Sequence, residues 1–296
     1  MKPTFPLLRL PENVIVKVLN NMRLKQLLEL SYVSTKTQNL VKSLGIIAKR
    51  VAISINGSDK IALNTYHTDF GFQPSTLVPF SDNLKYIRTI FCFTSPPNVC
   101  FYANCERHEV GLLKETIGNV NLLYVSSILT DELSREVLKH FNTPSRLYLL
   151  RNPYEDSCKI QEIFIRNHKI IEFDDDYSLD DMLLINSEKV RFKLPASKKQ
   201  MNQFVKHWIR GSNPQLQTMS LSVKNIDFVN GETYLKGIRC MDMSEEAKRE
   251  IRQEHGLPNC DMVQIRREDG TPAVIASNQR GRHPNTHLIV LHCIPL

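Results

Sequence analysis

The apolar positions near the start of the chain fall at helical spacing. Val14, Ile15, Val18, Leu19 and Met22 recur every three or four residues. They predict one amphipathic helix opening at Leu10-Pro11-Glu12, where proline is tolerated in the first turn and an acid suits the positive end of the dipole. Leu24, Leu27 and Leu28 mark a second helix ending near Ser31–Ser34. Ser34 is placed to cap a third, with Thr37, Leu40, Val41 and Leu44 as its stripe. Nineteen of the 40 residues from Phe5 to Leu44 are Leu, Ile, Val, Met, Phe or Tyr. Three short helices of that size rarely build a sufficient core alone. So much apolar surface has to pack on the following domain, on another polypeptide, or on both.

From Val51 the period changes. Val51–Ile55 and Lys60–Leu63 flank Asn56-Gly57, a hairpin signal. Six further runs rich in β-branched or aromatic residues read as strands, near Tyr86–Phe93, Asn121–Ser126, Arg146–Arg151, Lys169–Asp174, Lys189–Leu194 and Leu216–Val223. Most of the segments between them can be helical. The clearest runs from Ser197 to Arg210: Ser197 and Gln200 form a capping box, Met201, Phe204, Val205, Trp208 and Ile209 share one face, and Gly211 ends it. Another spans Thr130 to Phe141, with Leu133, Val137, Leu138 and Phe141 inward and Pro144 just beyond.

Strand, connector, helix, strand implies parallel pairing with right-handed crossovers. Strands recur irregularly every 20 to 33 residues or so, which favours a leucine-rich-repeat-like α/β solenoid over an ordinary open parallel sheet. Ser244–His255 reads as a polar helix. Met262–Arg267, Pro272–Ser277 and Thr286–His292 then read as short strands, the first two joined at Asp269-Gly270. A small antiparallel unit closing the end of the sheet is the expected result.

Composition adds little until charge is located. Hydrophobic content of 42% and charged content of 23% are ordinary for a globular protein. No secretory leader or bilayer-length apolar run is visible, so a soluble protein of the cytoplasm or nucleus is expected, without membrane association. Residues 1–50 hold nine Lys or Arg and two acids, which equals the +7 of the whole chain. The remainder is neutral, so no nucleic-acid partner is expected. Seven cysteines at irregular positions read as reduced, mostly buried thiols.

Enzyme signatures are absent: there is no Gly-rich phosphate loop, Gly-x-Ser-x-Gly elbow or His-Glu-x-x-His pair. Cys92, Cys100, Cys105 and His108 have ligand chemistry but no tight zinc spacing, so isolated thiols are the reading. Asp174-Asp175-Asp176 with Asp180 and Asp181 lack the glycine and terminal Glu of a calcium loop, and read as an acidic turn. Trp208, beside His207, reads as a core anchor rather than a ligand platform. Neither enzyme activity, a cofactor nor a metal is expected.

Actual residues carry a stronger signal than these patterns. Phe5-Pro6-Leu7-Leu8-Arg9-Leu10-Pro11, Val18-Leu19-Asn20-Asn21-Met22, Leu27-Leu28-Glu29-Leu30-Ser31 and Ser34-Thr35-Lys36 resemble an F-box. The resemblance implies a three-helix module, residues 1–46, that binds a Skp-family adaptor and through it a cullin. On that basis Leu8, Leu10, Pro11, Val14, Val18, Leu27 and Leu28 are the expected contacts with the adaptor or supports for them. Residues 47–296 form the remainder. About Leu183 to Ser277 resembles the type-2 F-box-associated domain, carried by Phe204 to Pro214, Tyr234 to Ile238 and Ile265 to Thr271. The pairing implies a substrate-recognition adaptor of a Skp–cullin–F-box ubiquitin ligase that binds an unidentified protein target. The alternative is an F-box scaffold that directs no ubiquitination.

Overall fold

Three helices open the chain: α1 (Glu12–Asn20), α2 (Leu24–Ser31) and α3 (Thr35–Ser43). Pro11 stands one step outside α1 as its N-cap. Ser34 caps α3 as its hydroxyl accepts from the Thr37 amide at 3.2 Å, and the Thr37 hydroxyl accepts from the Ser34 amide at 3.0 Å. The computed structural model describes residues 9–64, 69–72, 79–224, 234–255, 261–278 and 286–293. Two units divide the chain, Met1–Leu123 and Tyr124–Leu296.

Beyond its helices the first unit builds a small mixed sheet. β1 (Arg50–Ile55) and β2 (Lys60–Asn64) form the expected hairpin, with Ser54 opposite Lys60. Its turn is not a two-residue Asn-Gly turn. Asn56 accepts the Ser58 amide at 2.8 Å and Asp59 accepts the Asn56 amide at 3.2 Å, so side chains shape a longer loop. β3 (Asp69–Phe72) pairs antiparallel with β2, and β4 (Asn98–Phe101) pairs parallel with β1. Between them, Tyr86–Phe93 is not a strand. Most of it belongs to α4 (Phe80–Ile90), whose Leu84, Ile87 and Ile90 are buried three residues apart. Aromatic and β-branched composition suggested extended chain there, but the apolar period is helical and burial follows the period. After α5 (Val110–Ile117), β5 (Leu122–Val125) leads into the second unit.

Here helix and strand alternate: α6 (Asp131–His140), β6 (Arg146–Leu149), α7 (Ser157–Phe164), β7 (His168–Phe173), α8 (Leu179–Leu184), β8 (Ser187–Phe192), α9 (Lys198–Ile209) and β9 (Thr218–Lys224). β6 to β9 pair in parallel and in sequence order. Side-chain caps from Thr130, Asp156, Ser178 and Ser197 start each helix. The expected antiparallel segment follows as α10 (Glu245–His255), β10 (Asp261–Arg266), β11 (Pro272–Asn278) and β12 (Thr286–Cys293). It extends the same sheet: β12 pairs antiparallel with β9, giving the order β10-β11-β12-β9-β8-β7-β6.

Alternation along the strands gives the sheet two unlike faces. Leu147, Leu149, Ile171, Phe173, Val190, Phe192, Met219 and Leu221 point into one buried layer. Phe204, Val205 and Trp208, the apolar stripe of α9, are also fully buried. Register aligns Tyr148, Glu172, Arg191, Ser220, Val290, Ala276 and Met262 in one row on the other face. Ile251 of α10 covers one end of that face by packing with Met262, Val274 and Ala276. At the other end Glu172 lies 2.9 Å from Lys193 and 3.4 Å from Arg191.

Candidate adaptor-docking surface

α1 carries two apolar stripes, one buried inside the chain and the other partly open. Ile15 and Leu19, one turn apart, are buried. Val14 and Val18, also one turn apart, lie along the neighbouring stripe of the same helix. Val14 is 36% exposed and Val18 half-buried; just ahead of them Leu10 is half-buried and Pro11 exposed. Leu27 and Leu28 of α2 lie inside, 2% and 4% exposed, so they offer no open surface to a partner in this structure. Leu8 lies outside the described residues. Val33, 71% exposed in the turn between α2 and α3, adds an apolar side chain that periodicity missed because it lies between helices.

The sequence profile described as F-box domain matches residues 7–49, so these helices fall inside it. A second profile, described as F-box associated, matches residues 159–221. The chain carries an F-box and an F-box-associated domain. No curated protein and no solved structure matches it. The F-box-associated match contains the Phe204–Pro214 segment but starts upstream of Leu183 at Lys159. Tyr234–Ile238 and Ile265–Thr271 lie beyond its end.

The F-box helices are tied to the rest of their unit through the end of α2. At the end of α2, Tyr32 stacks on Tyr86 of α4, rings 4.4 Å apart and 13° from parallel. Its hydroxyl donates to Asn83 Oδ1 at 3.3 Å. Burial pushes both phenols above their ordinary range. Ser31 donates to the Leu28 carbonyl at 2.6 Å, satisfying a hydroxyl that is itself buried. Lys17, Arg23, Lys36 and Lys42 remain exposed on the F-box and give it a positive field.

Two residues in the segments that carry the F-box-associated resemblance act as structural joints, Asn213 inside the matched stretch and Arg267 beyond it. Asn213 sits at φ 52°, and its buried side-chain amide donates to the carbonyls of Met182 (3.0 Å), Ile185 (2.9 Å) and Leu183 (3.2 Å). It thereby supplies the donors that the end of α8 lacks. Arg267, almost fully buried, donates to the carbonyls of Gly211 (2.6 Å) and Ser212 (3.3 Å), and lies 5.3 Å from the centre of the Trp208 ring. Trp208 is wholly buried, as a core anchor should be.

The other constellations are spent locally. His108 Nε2 lies 2.8 Å from Asp59, and Arg107 lies 2.8 Å from the same carboxylate, away from any thiol cluster. Among the described residues no group of three or more His, Cys, Asp or Glu is arranged to hold a metal. Asp174 pairs with Lys193 at 3.4 Å, Asp175 accepts the Asn152 amide at 2.7 Å, and Asp181 completes the capping box of α8. Thiol burial differs from expectation. Cys105 is buried and Cys100 and Cys293 half-buried, but Cys92, Cys158 and Cys240 are exposed because they sit in turns and helix starts rather than on inward stripes. Burial pushes the Cys105 and Cys293 thiols up to about 11. No described helix is long and apolar enough to cross a membrane.

Proposed function

We propose that the chain is a non-enzymatic substrate receptor of a Skp–cullin–F-box ubiquitin ligase. Residues 1–46 dock on a Skp-family adaptor through Leu10, Pro11, Val14 and Val18, with Leu8 leading into them and Leu27 and Leu28 bracing them from inside. Residues 47–296 hold a protein target in the cytoplasm or nucleus. The observation that carries this reading is the second apolar stripe of α1, left accessible while its neighbour fills the core. F-box domains as a class bind such adaptors, and the F-box-associated match beside this one is the pairing of a substrate-adaptor family.

The mechanism is proximity. The adaptor fixes the chain on the cullin scaffold, and the receptor half raises the target's local concentration near the ubiquitin-charged enzyme. Apolar burial supplies most of the docking energy, concentrated in a few anchors. The positive F-box raises the association rate with an acidic adaptor more than it raises affinity. In the receptor half, β6 to β9 lie side by side in sequence order, which supports the leucine-rich-repeat-like reading.

Leu10→Asp combined with Pro11→Ala tests docking. Adaptor co-purification should be lost while the second unit stays folded, and undiminished co-purification refutes the assignment. Target lifetime should depend on both this chain and cullin activity. Independence from cullin activity replaces the ligase reading with the scaffold reading.

A further inference from the structure

The last turn of α9, the segment 237–239 and the end of β10 line an open surface pocket of about 250 Å³. Lys206, Arg210, Arg239 and Arg266 bring four cations to it from three separate segments, against one carboxylate, Glu268. Ile209 and Ile238 form its apolar part. We infer that this pocket binds a phosphate monoester carried on a side chain of the protein target. The inference rests on the receptor reading of residues 47–296.

The ordinary explanation for cations at the end of a helix is that they serve the last carbonyls and the negative end of the dipole. In α9 those carbonyls already have donors. The Arg210 amide donates to Lys206, Ser212 to His207, Gly211 to Trp208 and Glu268 to Ile209, at 3.3, 3.1, 3.0 and 2.9 Å. The side chains of Lys206 and Arg210 are therefore not needed as caps. Arg239 and Arg266 lie outside the helix, and among the described residues the Arg266 side chain donates to the Gly270 carbonyl at 3.0 Å.

The pocket wall is held in place. Asn202 donates to the carbonyls of Tyr234 and Lys236 at 2.7 and 3.0 Å, pinning the turn to α9. Gly237, at φ 73°, brings the backbone close to Lys206; a β-carbon there would sit 3.6 Å from the Lys206 ammonium nitrogen. On the far side of Arg239, Met241 and Gln264 exchange backbone hydrogen bonds at 2.8 and 3.0 Å, tying the segment to β10. The backbone that carries Arg239 is thus held on both sides, and its side chain is exposed.

Charge and shape select the ligand. The wall carries a formal excess of three positive charges, more than one carboxylate neutralises. A phosphate monoester carries a charge of about −1.5 to −2 and three strong acceptor oxygens at neutral pH. Three guanidinium forks match phosphate bidentately, whereas a lysine offers only a point charge. The volume equals roughly eight water molecules of liquid, more than a bare phosphate fills, which leaves room along Ile209 and Ile238 for the stem that bears it.

The test uses the full chain in complex with its adaptor. Probes are inorganic phosphate and three labelled peptide pools with degenerate flanks around a fixed phosphoserine, serine or glutamate. The phosphoserine pool should bind at least tenfold more tightly than either other pool and than inorganic phosphate, and inorganic phosphate should compete with it. Arg239→Ala and Arg266→Ala should each weaken it tenfold or more, Arg239→Lys less, and Lys199→Ala on the first turn of α9 should not. Melting curves check that the variants fold.

Equal binding of the glutamate pool overturns phosphate selection, and equal binding of inorganic phosphate overturns the protein-borne source. Phosphoserine binding indifferent to both arginines, or none, overturns the site. Adaptor co-purification from the same preparations reads the docking assignment separately, so either idea can fail alone.

Discussion

Replacing Val14 and Val18 together by Asp separates docking from folding, because neither side chain is wholly buried as those of Ile15 and Leu19 are. Burying a whole valine is worth about 1.5–3 kcal/mol, and Val14 retains 36% of its surface. Its covering by a partner therefore contributes about 0.5–1 kcal/mol, and Val18, already more buried, adds less than that. Two carboxylates trapped without partners in the same interface add at least about 1–3 kcal/mol. A total near 3 kcal/mol weakens the adaptor complex roughly a hundredfold. In the uncomplexed protein the carboxylate replacing Val14 faces water and the one replacing half-buried Val18 reaches it in part, so folding loses about 1 kcal/mol. Leu19→Ala gives the opposite pattern, since emptying a fully buried leucine site costs about 2–5 kcal/mol. Calorimetric titration of a purified Skp-family adaptor into each variant, with a melting curve of each, reads both quantities. The double Asp variant should lose binding at nearly unchanged Tm, and Leu19→Ala should lose Tm. Adaptor affinity within threefold of the parent, or a Tm fall matching that of Leu19→Ala, refutes the two-stripe argument.

The scaffold makes three further predictions. Asn213→Ala strands three carbonyls and forces alanine to φ 52°, so denaturant titration should show a loss of about 2–4 kcal/mol in the second unit with adaptor affinity unchanged. His168 is buried with Nδ1 2.8 Å from the Pro144 carbonyl, and desolvation lowers its pKa below 6.5. Below pH 6.5 the unfolded chain therefore takes up a proton that the folded chain resists, and stability falls by up to about 1.4 kcal/mol per pH unit. His168→Gln should flatten that acid limb of the stability profile, and an unchanged limb refutes the assignment. A double-mutant cycle over Tyr32→Ala and Tyr86→Ala should return a coupling of about 0.5–1.5 kcal/mol, and zero coupling means that the stack does not hold α2 to α4.

Where one apolar period dominated, the sequence was legible. The three N-terminal helices, α6, α9 and the strands from β6 to β9 follow from inward residues at spacings of three to four or of two. Tyr86–Phe93 failed because aromatic and β-branched residues weighed more in that reading than the helical spacing of Leu84, Ile87 and Ile90. β4, four residues long, is too short to show a period. At the candidate site, the resemblance pointed to a stretch of α1, but which of its side chains lie inside and which stay open shows only in the burial of the folded chain. Leu27 and Leu28 look equivalent to Val14 and Val18 in sequence and differ only in burial. The resemblance included Arg267 but gave no sign of its role. A lone arginine in a turn becomes a clamp only when Trp208, Gly211 and Ser212 are folded beneath it.

The pairing of β9 with β12 sets an order of events during synthesis. β9 is translated before residues 225–285, so one full edge of unsatisfied amides and carbonyls must wait for a partner encoded well downstream. The meander of β10, β11 and β12 can zip locally, but it docks only once β12 is complete. Until then β9 offers a template to any extended neighbour, including another nascent copy. Slow ribosomes or missing chaperones should thus aggregate this protein from β9, and cutting the chain ahead of β12 should yield inclusion bodies rather than a smaller soluble receptor.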